Sequence, residues 1–304
     1  MDLISLRKAL ELQNYIFDEN FIVTLYIALK LEKPLLVEGA AGVGKTEVAK
    51  VLAASFNTEL IRLQCYEGLD ESKALYEWNY QKQLLNIQLN TQTHMKSETK
   101  DIKSCDSAND LKLENLFSEE YLLERPLLKS IRSENKTVLL IDEVDKTDEE
   151  FEAFLLEMLS DFQVSIPELG TIKAKNKPIV ILTSNNTRQL SDALKRRCAY
   201  LYIDYPDVEK EIRILKAKLP EVEKKFAEEI STFVASIRQN PKIYKKPSIA
   251  ETLDWASALL AVGKKKLDED GVDKTLGFLL KLKEDILEFQ KGGGFNRFID
   301  DKLS

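Results

Sequence analysis

The stretch Gly39-Ala40-Ala41-Gly42-Val43-Gly44-Lys45-Thr46 constrains this chain more than any other. It fits the pattern G-x-x-x-x-G-K-[ST]. Ahead of it lies the apolar run Pro34-Leu35-Leu36-Val37-Glu38, which predicts a buried strand of a parallel sheet. Behind it, residues 46–55 read as a helix. A strand, a glycine turn and a helix in that order make a phosphate cradle. The glycines let backbone N–H groups point inward as an anion nest, and the helix start adds its positive end. Lys45 then brings a point charge to the β- and γ-phosphates, and the Thr46 hydroxyl is placed to ligate Mg²⁺. The candidate nucleotide-binding residues are Gly39, Ala40, Ala41, Gly42, Val43, Gly44, Lys45, Thr46 and the following Glu47.

Four further runs read as strands: residues 60–63, Val138-Leu139-Leu140-Ile141, Ile179-Val180-Ile181-Leu182 and Leu201-Tyr202-Ile203. Asp142-Glu143 closes the second of these at its carboxyl end, where parallel sheets bind ligands. Successive strand residues face opposite ways. One carboxylate can therefore serve the Mg²⁺ shell and the other the γ-phosphate. Asp142 is assigned to the metal through water, together with Thr46, and Glu143 to polarising the attacking water. Thr183-Ser184-Asn185-Asn186 ends the next strand. Asn185 there can orient the lytic water beside Glu143, or simply support a turn. Leu194-Lys195-Arg196-Arg197-Cys198 precedes the last strand and, taken alone, reads as a solvated helix end.

Between strands the pattern is helical. Residues 2–31 carry leucines and isoleucines at helix spacing. After the Asp142-Glu143 strand, Thr147 with Glu150 reads as a capping box. Phe151, Phe154, Leu155, Met158, Leu159 and Phe162 form the apolar face of the helix it starts. Residues 163–172 alternate around Pro167 and Gly170, as a β-hairpin does. Residues 81–125 break the rhythm, and the polar stretch 90–110, which holds His94, reads as an inserted surface loop or arm. From 208 onward only helices are expected, with Asp207 as the first cap. Gly292-Gly293-Gly294 ends the last long helix, and residues 295–304 read as a peripheral tail. The division is an α/β core over 1–205 and a helical domain over 206–304.

Composition narrows the function. Of 304 residues, 51 are Asp or Glu and 44 Lys or Arg, a formal net charge of −7. That balance argues against holding nucleic acid by bulk charge. Three scattered cysteines form no disulfide framework, and a reducing cytoplasm is their simplest home. One histidine cannot build a multi-histidine metal site. No run of 18 apolar residues is present, so no membrane insertion is expected, and the charged residues 1–11 do not read as a signal peptide.

The order of these motifs resembles the AAA+ ATPases: cradle (Walker A), Asp-Glu strand (Walker B), strand ending in Asn, Arg before a strand, then a helical domain. The finer segments Arg62-Leu63-Gln64-Cys65-Tyr66-Glu67-Gly68-Leu69-Asp70, Ala74-Leu75-Tyr76-Glu77-Trp78-Asn79-Tyr80, Phe117-Ser118-Glu119-Glu120-Tyr121 and Ser160-Asp161-Phe162-Gln163-Val164-Ser165-Ile166-Pro167-Glu168 are similar to the CoxD-like branch of the MoxR family. So are Leu190-Ser191-Asp192-Ala193-Leu194-Lys195-Arg196-Arg197-Cys198 and Pro247-Ser248-Ile249-Ala250-Glu251-Thr252-Leu253-Asp254-Trp255. The resemblance covers about residues 20–260. It implies a P-loop αβα sandwich with a five-stranded parallel sheet and a small all-helical lid. It implies ATP and Mg²⁺ as cofactors, ATP hydrolysis as the activity, and a homo-oligomeric, usually hexameric, ring. By resemblance Asn185 matches the sensor-1 position and Arg197 the arginine finger offered to the neighbouring subunit, with Arg196 as the fallback. The family's sensor-2 arginine has no counterpart in Lys245-Lys246-Pro247-Ser248-Ile249-Ala250-Glu251, where Lys246 is the one candidate substitute. The 81–125 insertion and the 163–172 hairpin fall where MoxR proteins carry elements that can meet a client. The implied role is a chaperone that remodels a partner protein, in metal-cofactor maturation of an enzyme such as a molybdenum-containing carbon monoxide dehydrogenase. Two other classes stay open: a nucleic-acid-stimulated NTPase (motor, loader or restriction-type), kept alive by Lys195-Arg196-Arg197, Lys245-Lys246 and Lys264-Lys265-Lys266, and a monomeric small-molecule P-loop kinase.

Overall fold

The computed structural model describes residues 2–95 and 117–296. Five strands, β1 (Leu35–Gly39), β2 (Leu60–Gln64), β5 (Val138–Asp142), β8 (Ile179–Ser184) and β9 (Ala199–Ile203), form one sheet in the order β2-β5-β8-β1-β9. Every pairing in it is parallel. Its middle strands, β5, β8 and β1, are almost wholly buried, as expected of apolar runs covered on both faces.

Alternation along the strands sorts the core into two layers. Leu35, Val37, Val138, Leu140 and Ile181 face one side, where α1 (Leu3–Leu12), α2 (Glu19–Lys30) and α3 (Lys45–Phe56) cover them. Leu36, Leu139, Ile141, Val180 and Leu182 face the other, under α6 (Pro126–Arg132) and α7 (Glu149–Asp161). The apolar face expected of α7 packs there: Phe151, Leu155, Met158, Leu159 and Phe162 are buried and Phe154 is partly so. The cap of α7 differs from the expectation. Asp148, not Thr147, accepts from the Phe151 N–H at 2.8 Å. Thr147 instead donates its hydroxyl to the Val144 carbonyl within a short 3-10 turn, and the ionised Asp148 is the better acceptor at a helix start.

The N-terminal helical stretch is likewise two helices. Asn14, in left-handed conformation, breaks it, and Asp18 caps the second with a 2.8 Å bond from the Phe21 N–H. The region expected as an inserted loop has a built base. Strands β3 (Tyr76–Trp78) and β4 (Leu122–Glu124) pair antiparallel, so the chain leaves and re-enters at one place. Residues 80–95 form helix α5 (Tyr80–Met95), which contains His94. The remainder of the polar stretch, with Cys105, lies outside the described residues. The hairpin is present as β6 (Gln163–Ile166) and β7 (Gly170–Lys173).

After β9 the chain is helical: α9 (Val208–Lys218), α10 (Lys224–Gln239), α11 (Ile249–Ala261), α12 (Glu269–Leu279) and α13 (Lys283–Lys291). Asp207 caps α9 by accepting from the Lys210 N–H at 2.7 Å. These helices have their own core around Trp255, whose indole N–H donates to Thr275 at 2.8 Å and whose ring stacks on Phe233. Phe295 is 7% exposed and packs against Phe233, so this first residue of the expected tail belongs to the core and is not peripheral, while residues 297–304 lie outside the described residues. Arg238 clasps the lid together. It grips Glu211 of α9 through two 2.8 Å bonds and donates to the Pro206 and Pro247 carbonyls, at the entry to the lid and just ahead of α11.

Candidate functional site

The site lies at the carboxyl ends of β1, β8 and β5, three neighbours in the sheet. β1 delivers the cradle. Gly42 and Gly44 turn it with φ of 76° and 95°, backbone that glycine adopts without strain. The Lys45 ammonium, on a residue only 6% exposed, donates to the Gly39 carbonyl (2.9 Å), the Ala40 carbonyl (2.6 Å) and Asn185 Oδ1 (2.7 Å). Burial pulls its pKa below the ordinary lysine value, and Asp145, Asp142 and Glu143 offset part of that.

β5 delivers the acids. Asp142 Oδ1 accepts from the Thr46 hydroxyl at 3.0 Å and from the Thr183 hydroxyl at 2.6 Å. Glu143 has left the strand and sits in left-handed backbone, φ 60°. That conformation costs a non-glycine residue about 1–2 kcal/mol, and the Glu143 N–H is held there by the Thr183 hydroxyl at 2.9 Å. The Glu143 carboxylate meets Gln64 Nε2 at 2.9 Å, Lys146 Nζ at 2.6 Å and Asn185 Nδ2 at 3.2 Å. Asn185, from the end of β8, thus touches both Lys45 and Glu143.

Below this layer Asp145 fixes the β8 loop. It accepts from the Asn185 N–H (3.1 Å) and from the N–H and hydroxyl of Thr187 (2.9 and 2.6 Å). Burial alone would raise its carboxyl; the Thr187 and Asn185 donors outweigh burial and hold it below the usual carboxylate range.

Two adjoining hollows stand over the cradle. One, of 250 Å³, is lined by Lys45, Thr46, Asp142, Glu143, Asn185 and Ala250. The other, of 680 Å³, runs between the α1–α2 turn (Tyr15, Phe17), the β9 exit (Tyr202, Tyr205) and α9 (Lys210, Arg213). Their shared rim includes Gly42, Gly44, Glu47 and Ala250. The lid therefore touches the cradle directly: the Ala250 N–H donates to the Gly42 carbonyl at 3.2 Å. Two ion pairs tie α9 to the core across the larger hollow, Lys210 to Asp18 (3.1 Å) and Lys218 to Glu47 (3.0 Å).

The structure brings Gly39–Glu47, Asp142, Glu143 and Asn185 together and leaves two expected residues elsewhere. Arg197 is exposed and donates to the Ser160 hydroxyl at 2.8 Å, away from its own cradle. Lys246 donates to the Asn240 carbonyl within the lid, and the residue that meets the cradle from the lid is Ala250. Arg62, Gln64, Asp145, Lys146 and Thr183 escape a reading of the sequence. Arg62 and Gln64 look like the solvent face of an edge strand, and only their i, i+2 spacing at its carboxyl end hints at a shared target. The thiols of Cys65 and Cys198 are buried, and burial pushes both up to about 12, so neither is a nucleophile here.

The donor set suits Mg²⁺. A hydroxyl and a carboxylate are hard oxygen ligands, and this ion is commonly held by one or two such groups plus substrate phosphates and water. Among the described residues no cluster of three or more His, Cys, Asp or Glu side chains offers a dedicated metal cage.

Such a sheet order, cradle and acid pair define a P-loop nucleotide-binding protein with a helical lid, of AAA+ type. Residues 34–198, more than half of the chain, match the AAA domain of the dynein-related subfamily, and the chain belongs to that family. Among curated proteins none matches it. Solved structures of RuvB from Thermotoga maritima are similar in fold. One point variant is 20% identical with a TM-score of 0.50, over 90% of this chain and 73% of that one. Another is 18% identical with a TM-score of 0.49, over 89% and 73%. A third, described as a Holliday junction branch migration motor, is 19% identical with a TM-score of 0.47, over 89% and 72%. No helix among the described residues is long and apolar enough to cross a membrane.

Proposed function

We propose that this chain is a Mg²⁺-dependent ATPase of MoxR type that works as a homo-oligomeric ring, with a hexamer as the expected size, and remodels a client protein. The observation that carries the hydrolytic part is the joint placement of Lys45, Asp142, Glu143 and Asn185 on one 250 Å³ hollow. In this reading residues Gly39–Glu47 hold the nucleotide phosphates, and Lys45 exchanges its carbonyl partners for phosphate oxygens. Thr46 and Asp142 hold Mg²⁺, which supplies charge neutralisation of the phosphates when bound. Glu143 takes the proton of the attacking water, and Asn185 keeps Glu143 and Lys45 in register. ATP is the proposed nucleotide from the family resemblance.

Arg197 is proposed to act on the nucleotide of a neighbouring subunit, with Arg196 as the alternative. Arg196 is exposed. A finger supplied in trans is worth about 10³–10⁵ in rate in related nucleotide hydrolases. The helix α5 and its two-stranded base, with the β6–β7 hairpin, are proposed as the surfaces that meet the client. Metal-cofactor maturation of a molybdenum enzyme, and a cytoplasmic location, rest on the resemblance to the CoxD-like branch. A nucleic-acid motor is the second reading. The fold is shared with RuvB, but Lys264 is spent on Asp268 and Asp270, and Lys246 on a lid carbonyl.

The test is ATPase activity per subunit against protein concentration for wild type, Lys45→Ala and Arg197→Ala. The expected result is low activity when dilute, a rise on assembly, and loss in both variants. Mixing Glu143→Gln with Arg197→Ala subunits should restore part of the activity. A dilute Arg197→Ala monomer with full activity would overturn the ring reading, and steep stimulation by DNA would favour the motor.

A further inference from the structure

The two acids at the end of β5 are joined by a side chain that the proposed mechanism does not use. Arg62 and Gln64 project from the same face of β2, two residues apart. One guanidinium nitrogen of Arg62 donates to Asp142 Oδ2 at 2.5 Å and also to Gln64 Oε1, the side-chain amide oxygen. With its oxygen so engaged, the Gln64 amide turns its NH₂ to Glu143. Asp142 and Glu143 are therefore linked through Arg62 and Gln64.

Asp142 needs such a partner. Its carboxylate is 3% exposed, and its other oxygen has only the neutral hydroxyls of Thr46 and Thr183. Removing a carboxylate from water without a compensating charge is costly. Lys45 does not supply that charge by contact, since its three bonds go to Gly39, Ala40 and Asn185. Arg62 is the only cation in an ion pair with Asp142 among the described residues. Pinning Oδ2 also aims Oδ1 at Thr46, the other proposed Mg²⁺ ligand.

We propose that Arg62 is a positioning residue that pairs with the buried Asp142 carboxylate and aims it at the Mg²⁺ site. The proposal rests on the Mg²⁺-nucleotide reading above. It predicts an effect confined to the metal-dependent part of nucleotide binding, because among the described residues the hydrogen bonds of Arg62 go to Asp142 and Gln64 and none to the cradle.

The experiment titrates Mg²⁺ into the full chain bound to a fluorescent ADP, with Arg62→Gln, Arg62→Lys and Lys45→Ala alongside wild type. Affinity in EDTA should be unchanged in Arg62→Gln. The Mg²⁺ concentration giving half of the tightening should rise about tenfold or more, the usual cost of losing an outer partner of a metal ligand. Arg62→Lys should fall between the two, since its ammonium supplies charge on a shorter reach. A wild-type midpoint in Arg62→Gln would overturn the proposal, as would equal weakening with and without Mg²⁺. If the glutamine variant does not fold, the lysine variant decides, and a wild-type midpoint there counts against it. Failure of the wild-type chain to bind the probe, or undiminished binding by Lys45→Ala, would instead strike the nucleotide-binding reading.

Discussion

At the scale of single residues the site is a set of charges made tolerable by their neighbours. Asp145 shows it most plainly. It is 3% exposed, and its oxygens are filled by donors of the β8 loop. Its pKa is held below the usual value. A carboxyl with a depressed folded pKa adds stability that is fully present above its unfolded pKa, about 3.9, and is lost as pH falls through the folded value. Asp145→Asn should therefore be less stable than wild type at neutral pH, and the gap should close as pH drops below about 4. Denaturant unfolding across that range measures it, and a gap independent of pH would refute the account. Because Asp145 holds the Asn185 backbone, the same variant should slow hydrolysis while leaving nucleotide binding nearly intact.

Between elements, the decisive contact is that of α11 with the cradle. Helix α11 begins with a full capping box, Ser248 with Glu251, which fixes where its first turn sits. That turn lies against Gly42, where an added Cβ would fall 2.2 Å from Ser248 Oγ and 2.9 Å from Ser248 Cβ. Gly44 is the natural control, because it shares the positive φ but an added Cβ there meets nothing within 4 Å. Both Gly42→Ala and Gly44→Ala bear a left-handed backbone cost of about 1–2 kcal/mol. Only Gly42→Ala must also push the lid away. Its unfolding free energy, measured without nucleotide, should fall below that of Gly44→Ala, and equal values would show that α11 does not press on the cradle.

For the molecule as a whole, two packed units meet across the 680 Å³ hollow with few fasteners. Asp18–Lys210 and Glu47–Lys218 span it. Burial would raise both carboxyls, but the Phe21 N–H and Lys210 hold Asp18 low, and Lys218 and Lys50 hold Glu47 low. These pairs are partly exposed, so each contributes only about 0.2–1 kcal/mol and is screened by salt. Nucleotide affinity should weaken as salt rises, and the double variant Lys210→Ala/Lys218→Ala should flatten that slope and weaken binding by up to about tenfold at low salt. Both carboxyls have lowered pKa values, so the latch is fully present at neutral pH and is lost only as pH falls through those lowered values. An unchanged salt slope in the double variant would assign lid closure to other contacts.

The sequence by itself determined the cradle, the acid pair and the layers of the core. Lys45 and Thr46 follow a glycine pattern that only a strand-to-helix turn satisfies, and β1, β5 and β8 are continuous apolar runs that only a covered parallel sheet can bury. The five-stranded sheet with a helical lid was legible for that reason, as was the hairpin β6–β7. Local choices between equivalent polar residues were not: Asp148 took the cap expected of Thr147, and Phe295 joined a core that no periodicity announced. The tertiary structure alone decided which further side chains join the site. Strand order sets β2 beside β5, and that register places Gln64 opposite Asp142. Only then do Arg62 and Gln64, indistinguishable in sequence from a solvated edge, become the partners of two acids 80 and 79 residues away. Folding of the lid likewise put Ala250, and not Lys246, on the cradle, because the cap at Ser248 and the clasp of Arg238 fix α11 in space. Pairing across a sheet and docking between units depend on distances that no local spacing encodes.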